Sequence, residues 1–445
     1  MAKIWLLRVL YTVLMYLVTP VILYRLAFRG LRNHDYFWRW RERFGWFKSP
    51  AIKNSIWIHA VSVGEFNAAM PLIEALMARF PERPFVVTSI TPTGSERVQK
   101  ALGARVLHVY LPYDLPGSVR RFLNKTQPQL AVVMETEIWP NLYLSCCARG
   151  IPILIANARL SERSLRGYGP ARPLVGHCVR SAAWVAAQSR VDAERFLALG
   201  ADPARLELVG NIKFDMKVPE DLPVLGGQLR QGWGSARPVW IAASTHEAEE
   251  GAILEAHAIV LRRFPDALLL IAPRHPERFR QAYSLCKSVG FRTGLRSEHG
   301  TPDVTMQCFV VDTMGELLRF FAASDAAFVG GSLVRIGGHN MLEPASLGCP
   351  VLIGPYTHNF LEISERLLAD GAALRVNSGT HLGQEMVRVL SKPELRAKMA
   401  EAGLSVVASE RGALERLLTR AVALIESAQA QRLRQAERAS AKLRQ

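Results

Sequence analysis

The sequence predicts an α/β protein in which two doubly wound domains face a central cleft, preceded by a hydrophobic helix. Three observations support this prediction. Short apolar runs alternate with helix-like segments after residue 50, as expected for buried parallel strands joined by helices. This alternation stops between residues 214 and 238, where proline, glycine and charge dominate. A strongly apolar segment comes before the first strand.

Composition narrows the class of protein. The chain has 445 residues, enough for two domains, and its 49% hydrophobic and 21% charged residues are typical of a globular protein. The net charge of +16 indicates an anionic partner, such as acidic lipid, a phosphorylated substrate or nucleic acid. Because no arginine-rich block interleaved with aromatics has a nucleic-acid motif spacing, we expect lipid and no nucleic acid.

Cysteine and histidine spacing gives no sign of a metal site. None of the cysteines forms a C-x-x-C pair, and we expect reduced, buried thiols. Since no Cys/His cluster has ligand spacing, we expect no metal and no cofactor. The cysteines are Cys146, Cys147, Cys178, Cys286, Cys308 and Cys349.

The N-terminal segment, residues 1–30, is predicted to be a membrane-anchor helix. Sixteen uncharged residues, 9–24, separate Arg8 from Arg25, and with both arginines snorkelling the segment reaches the ~20 residues that span a bilayer. No small-x-small cleavage site follows, which disfavours a signal peptide. The basic, aromatic residues after it suit an anionic leaflet and place the body of the protein in the cytoplasm. Spanning and interfacial orientations both stay open.

The first domain is predicted over residues 31–215. A helix is expected from Gly64 to about Phe80, and Thr93 is expected to cap the next one. The predicted strands are Ser55–His59, Phe85–Thr88, Arg105–Val109, Leu130–Met134, Ile153–Ala156, Trp184–Ala186 and Leu206–Leu208.

The second half is predicted to comprise a linker at 216–238, a domain at 239–425 and a basic C-terminal tail at 426–445. The tail is expected to be a solvated or membrane-facing helix. The predicted strands are Val239–Ala242, Leu268–Ile271, Phe309–Val311, Ala326–Val329 and Val351–Ile353.

The segment 326–355 has the pattern of a nucleotide site. A strand runs into a loop with four glycines, Asn340 is predicted to open a helix, and Glu343 lies in its first turn. Glycines allow close backbone approach, helix N-termini attract phosphate, and a carboxylate can accept from ribose hydroxyls. The alternative is a tight β–α turn with a capped helix.

Acidic residues follow strands of the first domain. Glu65, at a helix start, is either a general base or an ordinary first-turn acid favoured by the helix dipole. Glu135 and Glu137 end an apolar strand and point the same way, so they need a partner such as a cation, a sugar hydroxyl or Lys213. A solvated strand end is the alternative.

Further candidates lie in the second domain. Arg274, flanked by proline at a strand tip, suits bidentate phosphate contact, unless it is a surface arginine. Thr313 and Glu316 are predicted to form a capping box, and Gly315 between them suggests close ligand approach. The segment 244–247 opens a helix and either contacts phosphate or serves as a normal cap.

Together these segments resemble the 3-deoxy-D-manno-octulosonic acid (Kdo) transferases, membrane-associated glycosyltransferases that modify the lipid A precursor in Gram-negative bacteria. The resemblance covers nearly the whole chain. It rests on SVGE (62–65), TPTGSERVQ (91–99), VYLPYDLP (109–116), METEIWPN (134–141), IANARLSERS (155–164), KFD (213–215), STHEAEE (244–250), PRHPERF (273–279), DTMGEL (312–317) and GGSLVRIGGHNMLEPA (330–345).

The resemblance implies a GT-B fold, CMP-Kdo as donor and lipid IVA as acceptor at its 6′-hydroxyl. It implies inversion without a metal, in lipopolysaccharide biosynthesis at the cytoplasmic face of the inner membrane. Glu65 matches the family's proton acceptor, and Glu135 and Lys213 match its transition-state stabilisers. The matching CMP-binding positions are Pro273, Arg274, Met314, Gly315, Glu316, Asn340, Met341, Leu342 and Glu343.

Two departures and two alternatives accompany the resemblance. Met341 stands where proline is expected, and Arg335-Ile336 stands where a basic residue directly before the glycine pair is expected. A GT-B enzyme that uses a UDP-sugar is one alternative function, and a non-catalytic membrane scaffold that binds nucleotide is another. The number of Kdo units, acyl-chain selectivity and oligomeric state are not determined by these motifs.

Overall fold

The computed structural model describes residues 2–32, 37–50, 52–216 and 218–443. The chain divides into two compact units. The first comprises residues 1–216 and 411–445, and the second comprises residues 217–410.

The first unit opens with an apolar helix and continues with a parallel sheet. Helix α1 (Ala2–Arg32) contains Pro20, and an 18-residue window within its residues 2–31 has a mean hydropathy of 2.0, so it is long and apolar enough to cross a membrane. The sheet has the strand order β3-β2-β1-β4-β5-β6-β7 and parallel pairing. Its strands are β1 (Ser55–His59), β2 (Phe85–Ser89), β3 (Leu107–Tyr110), β4 (Pro128–Met134), β5 (Ile153–Ala158), β6 (Trp184–Ala187) and β7 (Leu206–Leu208).

Helices cover both faces of this sheet, and each face has its own apolar core.

The cap of helix α3 (Pro92–Leu102) differs from the prediction. Thr91, not the predicted Thr93, caps this helix, because its hydroxyl accepts from the Gly94 N–H at 3.1 Å and Pro92 occupies the first helical position. The helices are α2 (Val63–Arg79), α3 (Pro92–Leu102), α4 (Pro116–Thr126), α5 (Pro140–Ala148), α6 (Glu162–Gly167), α7 (Arg172–Ser181) and α8 (Arg190–Leu199).

The segment predicted as a linker belongs to the second unit and contains a helix, α9 (Leu222–Trp233). The prediction of an irregular linker is therefore wrong over these residues. Leu222 and Trp233 are buried, and Gly226 lies against the backbone of Ala322, where a Cβ would approach the carbonyl oxygen to 2.6 Å. Gly226 lies in a segment whose proline and glycine content predicted a linker, and here it permits close packing.

The second unit has its own parallel sheet, ordered β10-β11-β9-β8-β12-β13-β14. Strands β10 and β14 were not predicted, because Thr293–Leu295 and Ala373–Arg375 show neither a continuous apolar run nor an apolar alternation. The strands are β8 (Val239–Thr245), β9 (Leu268–Pro273), β10 (Thr293–Leu295), β11 (Cys308–Val310), β12 (Ala326–Val329), β13 (Val351–Ile353) and β14 (Ala373–Arg375).

One helix start of the second unit differs from the predicted capping box. Helix α13 begins at Leu317, so Thr313 and Glu316 form no capping box. The Thr313 hydroxyl instead donates directly to the Glu316 carboxylate at 2.5 Å. The helices are α10 (Glu247–Arg263), α11 (Phe279–Ser288), α12 (Arg296–His299), α13 (Leu317–Ala322), α14 (Leu342–Ser346), α15 (Leu361–Ala369), α16 (Gly379–Ser391) and α17 (Pro393–Ser409).

The last helix, α18 (Ala413–Leu443), returns to the first unit. Leu417, Ala421 and Ile425 are fully buried in the core that also contains α2 and β4. Asp215 accepts from the backbone N–H groups of Gly412 and Leu414, which holds the start of this helix. The predicted boundary at residue 425 is therefore wrong, because the apolar face of α18 completes the first core.

Candidate functional site

The first unit places acidic residues at its topological switch point, between β1 and β4. Ligands of open α/β sheets bind outside the carboxyl ends of the strands at this point. Glu65 lies in the first turn of α2, after β1, and Glu135 directly follows β4. The structure therefore brings together two residues that the sequence analysis selected independently.

Glu65 is held by the loop before its helix. Its Oε2 accepts from the Val61 N–H at 2.9 Å, and the Ser62 hydroxyl donates to Oε1 at 3.3 Å. Burial, with smaller contributions from the nearby Glu135 and Glu137, raises the pKa of Glu65 to about 7. A carboxyl group with this pKa can exchange a proton near neutral pH.

Glu135 has the predicted partner. Its carboxylate lies 3.9 Å from the Lys213 ammonium, and both side chains are about four-fifths buried. Glu135 has a φ of 56°, in the left-handed region that residues other than glycine seldom adopt. Such backbone strain is frequent at functional sites, where the surrounding structure stabilises it.

Glu137 does not join this ion pair. Its Oε2 accepts from the Trp139 indole N–H at 2.8 Å. Burial raises the pKa of Glu137, and the charge of Glu135 adds to this effect. The two acidic residues that the strand pattern grouped therefore have different partners.

Asn157, which the sequence analysis did not select, supports the Lys213 loop. It lies near the end of β5 with a φ of 51°, and its side chain is fully buried. Its Oδ1 accepts from the Ile212 N–H at 3.1 Å, and Asn211 accepts from the Lys213 N–H at 3.1 Å. The position of Asn157 within the IANARLSERS motif could have marked it as a candidate.

The second unit places a group of imidazoles at its own switch point, between β8 and β12. His246 precedes α10, and its Nε2 lies 2.8 Å from Nε2 of His339, which belongs to the loop after β12. The rings are stacked, with centroids 5.1 Å apart, and the His275 ring lies 5.4 Å from that of His246. The sequence pattern had placed His246 in the segment 244–247, which was expected to contact phosphate or to cap the helix, and it had assigned no role to His275 or His339.

Two buried glutamates of α10 fix the loops around these rings. Glu249 accepts from the N–H groups of His246 and Gly331, at 3.1 and 2.5 Å. Burial raises the pKa of Glu249 to about 7. Glu250 accepts from the Arg278 guanidinium at 2.6 Å. Within STHEAEE, Glu249 therefore holds two backbone N–H groups and Glu250 holds an arginine side chain.

The predicted donor-binding positions after β9 and β12 are close in space. Pro273 ends β9, and the exposed Arg274 lies near enough to Glu343 to lower its pKa, although burial raises that pKa overall. Asn340 donates to Glu343 at 3.0 Å and accepts from the Leu342 N–H at 3.1 Å. Helix α14 thus begins at Leu342, two residues after the predicted start.

Met341 and Leu342 are fully buried, so their side chains pack inward. The departure at Met341 is therefore accommodated in the interior of the unit. Gly337 and Gly338 have φ values of 111° and 77°, and their N–H groups donate to the Gly331 carbonyl. This turn requires glycine conformations, which explains the glycine pair.

The loop at 312–316 is clamped by an arginine that was not predicted. Arg296 forms a bidentate ion pair with Glu316, at 2.8 and 3.1 Å, which holds the pKa of that carboxyl at about 2. Met314 is exposed, and Gly315 has a φ of 88° with open space where a Cβ would stand. Glu316 therefore fixes the loop and leaves backbone at Met314 and Gly315 accessible.

Among the described residues, no cluster of three or more histidine, cysteine or acidic side chains could hold a metal ion. The six cysteines are free thiols. Cys147 is exposed, contrary to the prediction that all are buried, because it lies on the outer face of α5.

Two doubly wound parallel sheets, each with polar residues at its switch point, define an α/β protein of the GT-B class. A solved glycosyltransferase from Rickettsia africae has the same fold, with a TM-score of 0.53 and 14% identity over 84% of this chain and 98% of that one. A putative UDP-N-acetylglucosamine 2-epimerase from Listeria monocytogenes gives 0.53 at 16% identity, covering 84% and 96%.

Sequence comparison narrows the class to one family. The family described as 3-deoxy-D-manno-octulosonic-acid transferase (kdotransferase) matches residues 38–216. The 3-deoxy-D-manno-octulosonic acid transferase of Haemophilus influenzae is 41% identical over 92% of this chain and 97% of its own length. The Bordetella pertussis transferase of the same name is 36% identical over 89% and 97%. The chain belongs to the Kdo transferase family, and it is a glycosyltransferase.

Proposed function

We propose that this protein transfers Kdo from CMP-Kdo to the 6′-hydroxyl of lipid IVA with inversion and without a metal ion. The observation that carries the proposal is Glu65, a half-buried carboxyl with a pKa of about 7 beside the Glu135–Lys213 pair. One or more Kdo units are transferred in the synthesis of the lipopolysaccharide core. The matched motifs supply the identity of donor and acceptor.

Glu65 is the proposed general base. Its deprotonated carboxylate takes the proton of the acceptor hydroxyl, while the hydroxyl oxygen forms a bond to the anomeric carbon of Kdo. The bond from that carbon to the phosphate oxygen breaks, and CMP leaves. General-base assistance of this kind contributes about 10²–10⁴-fold. Lys213 and Glu135 stabilise the charge that develops during transfer.

The second unit is the proposed CMP site. CMP leaves as a phosphate monoester, so no diphosphate requires a divalent cation. Arg274 provides fixed positive charge, and the turn at Gly315, whose positive φ suits glycine, exposes backbone to the ligand. Glu343, beside Asn340, is placed to accept from the ribose.

The proposed location is the cytoplasmic face of the inner membrane, with α1 as anchor. The helix carries many exposed apolar side chains, including Trp5, Leu10 and Leu17. Trp38, Trp40 and Trp46 are also exposed, next to arginines, as suits an anionic headgroup layer. A lipid acceptor requires an enzyme that works at this surface.

The test is a transfer assay with the purified chain in detergent, CMP-Kdo, lipid IVA and EDTA. We expect a product heavier than lipid IVA by one or more Kdo residues. NMR should show that the anomeric configuration of the transferred Kdo is opposite to that in CMP-Kdo. CMP should raise the melting temperature more than UDP does. Absence of product, or equal transfer from a UDP-sugar, would refute the proposal.

A further inference from the structure

We propose that His246 and His339 form a histidine pair that binds the phosphate of the nucleotide and takes up a proton as it does so. This inference rests on the proposed function, since it concerns the same cytidylate site. No family motif used above assigns a role to either residue. The first support for the pair is the position of the two rings.

The location points to a ligand. His246 follows β8 and His339 follows β12, the two strands that flank the switch point of the second sheet. Both rings are therefore at the crevice where open α/β sheets bind ligands. His339 also directly precedes the 340–343 segment that the CMP site is proposed to use.

The contact between the rings implies one shared proton. The two Nε2 atoms are 2.8 Å apart, so one must donate and the other accept. The pair therefore has a neutral acceptor nitrogen at this contact. A proton added to the acceptor nitrogen would break this hydrogen bond and leave one imidazolium and one neutral ring, each with an N–H group at Nε2 that could turn to an anion.

The surrounding charges oppose that second proton when no anion is present. Burial lowers the pKa of His339 to about 4, and the charges of His246, Arg274 and His275 contribute. Burial also lowers the pKa of His246, and the charges of His275 and Arg274 add to this effect. A phosphate among these groups would reverse the balance, because its negative charge favours imidazolium.

The acidic side chains near the pair are already engaged. Glu249 accepts from the backbone N–H groups of His246 and Gly331, and Glu343 accepts from Asn340. These contacts fix both loops and leave the rings to meet an incoming anion.

The rings are also held in place. A Cβ on Gly331 would lie 3.0 Å from the His339 ring, so any other residue at 331 would press against the ring, and the φ of 67° also favours glycine. The capping box at His246 fixes the start of α10. A preorganised pair binds an anion with little loss of side-chain entropy.

The test is calorimetric titration of the full-length protein with CMP at pH 6.5 in two buffers of different ionisation enthalpy. We expect proton uptake approaching one per CMP bound and little for cytidine, which lacks the phosphate. His246→Gln and His339→Gln should reduce the uptake to roughly half or less and weaken CMP binding about tenfold. His177→Gln, on the exposed side of α7, is the matched control and should match wild type.

The outcomes are separable. Binding of CMP without proton uptake by the wild-type protein overturns the inference and leaves the proposed function intact. Equal uptake in the histidine variants, or equal uptake with cytidine, also overturns it. If CMP does not bind at all, the proposed function and this inference both fail. The wild-type measurement decides the matter even if a variant does not fold.

Discussion

Lys213 lies 3.9 Å from Glu135, and each side chain is about four-fifths buried. The two residues come from loops after different strands, and the strained φ of Glu135 directs its carboxylate. A buried pair of opposite charges is costly to break, because the remaining charge loses its partner. This pair is therefore a sensitive point of the proposed acceptor site.

Lys213→Met should lower kcat by about 10²-fold, the effect typical of losing one electrostatic stabiliser, and leave the CMP affinity unchanged. The transfer assay and CMP calorimetry measure the two quantities. Lys53→Met, at an exposed lysine of the same unit, is the charge-matched control. A kcat within twofold of wild type, taken as about 0.4 kcal/mol, would contradict the assigned role.

Glu65→Gln should reduce transfer by about 10²–10⁴-fold, because glutamine retains the shape and cannot take a proton. Glu74→Gln, at an exposed position of the same helix, should be as active as wild type. Activity of Glu65→Gln within tenfold of wild type would reject the general base.

The raised pKa of Glu65 has two pH consequences. The wild-type kcat/KM should fall as pH drops below about 7, because the base becomes protonated. The folded pKa lies above the usual value of 4.5, so the unfolded chain binds fewer protons between the two values. The contribution of Glu65 to stability should therefore decline as pH rises from 4.5 to 7, and Glu65→Gln should remove this decline in chemical denaturation.

Asn157→Ala should lower kcat while KM changes little, because the Ile212 N–H loses its acceptor and the Lys213 loop is no longer fixed. Asn157→Asp keeps an acceptor oxygen and tolerates the left-handed backbone, but it buries a carboxyl group, so it should recover only part of the stability that alanine loses. Steady-state kinetics and thermal unfolding separate these effects. If alanine changes stability alone, Asn157 has no positioning role.

Arg8→Ala should lower the melting temperature of the full-length protein in detergent. Arg8 Nε donates to Asn141 Oδ1 at 3.1 Å, and Thr12 contacts the same oxygen at 3.2 Å, so α1 docks on α5 through polar contacts. Loss of a partly buried, charge-assisted bond typically costs about 1–3 kcal/mol, or a few degrees. Lys3→Ala, at an exposed lysine of α1, should have no such effect. Equal melting temperatures for both would mean that α1 is only a tether.

Arg296→Lys should weaken CMP binding about tenfold, because lysine cannot form the bidentate contact that fixes Glu316. Arg262→Lys, at an exposed position of α10, controls for the general change of side chain. Calorimetry with CMP measures the affinity. Unchanged binding would show that the 312–316 loop does not need this clamp.

Local patterns were enough for most of the sheets. Buried parallel strands such as β4 and β12 are continuous apolar runs, and these stand out in any sequence. Strands β10 and β14 did not stand out, since neither shows a continuous apolar run or the apolar alternation of β7. Helix α9 was missed because the proline, glycine and charge of its segment predicted a linker, whereas Gly226 permits close contact with Ala322.

The residues of the candidate site could likewise be predicted from the sequence only in part. Glu65, Glu135 and Arg274 could be selected because each follows a predicted strand, where α/β sheets place ligands. The roles of Asn157 and Arg296 depend on partners distant in the sequence, so local periodicity did not show them, although Asn157 lies within a family motif. The distinct partners of Glu135 and Glu137 were likewise invisible to strand alternation.

The sequence by itself determined the α/β class, the apolar N-terminal helix, the family and the positions of the acidic and basic candidates, because these depend on local periodicity and on motifs. Only the tertiary structure decided that α18 completes the first core, that α1 docks through Arg8, and that His246 meets His339. Those contacts join segments distant in the chain, and their geometry follows from how the strands are ordered in each sheet.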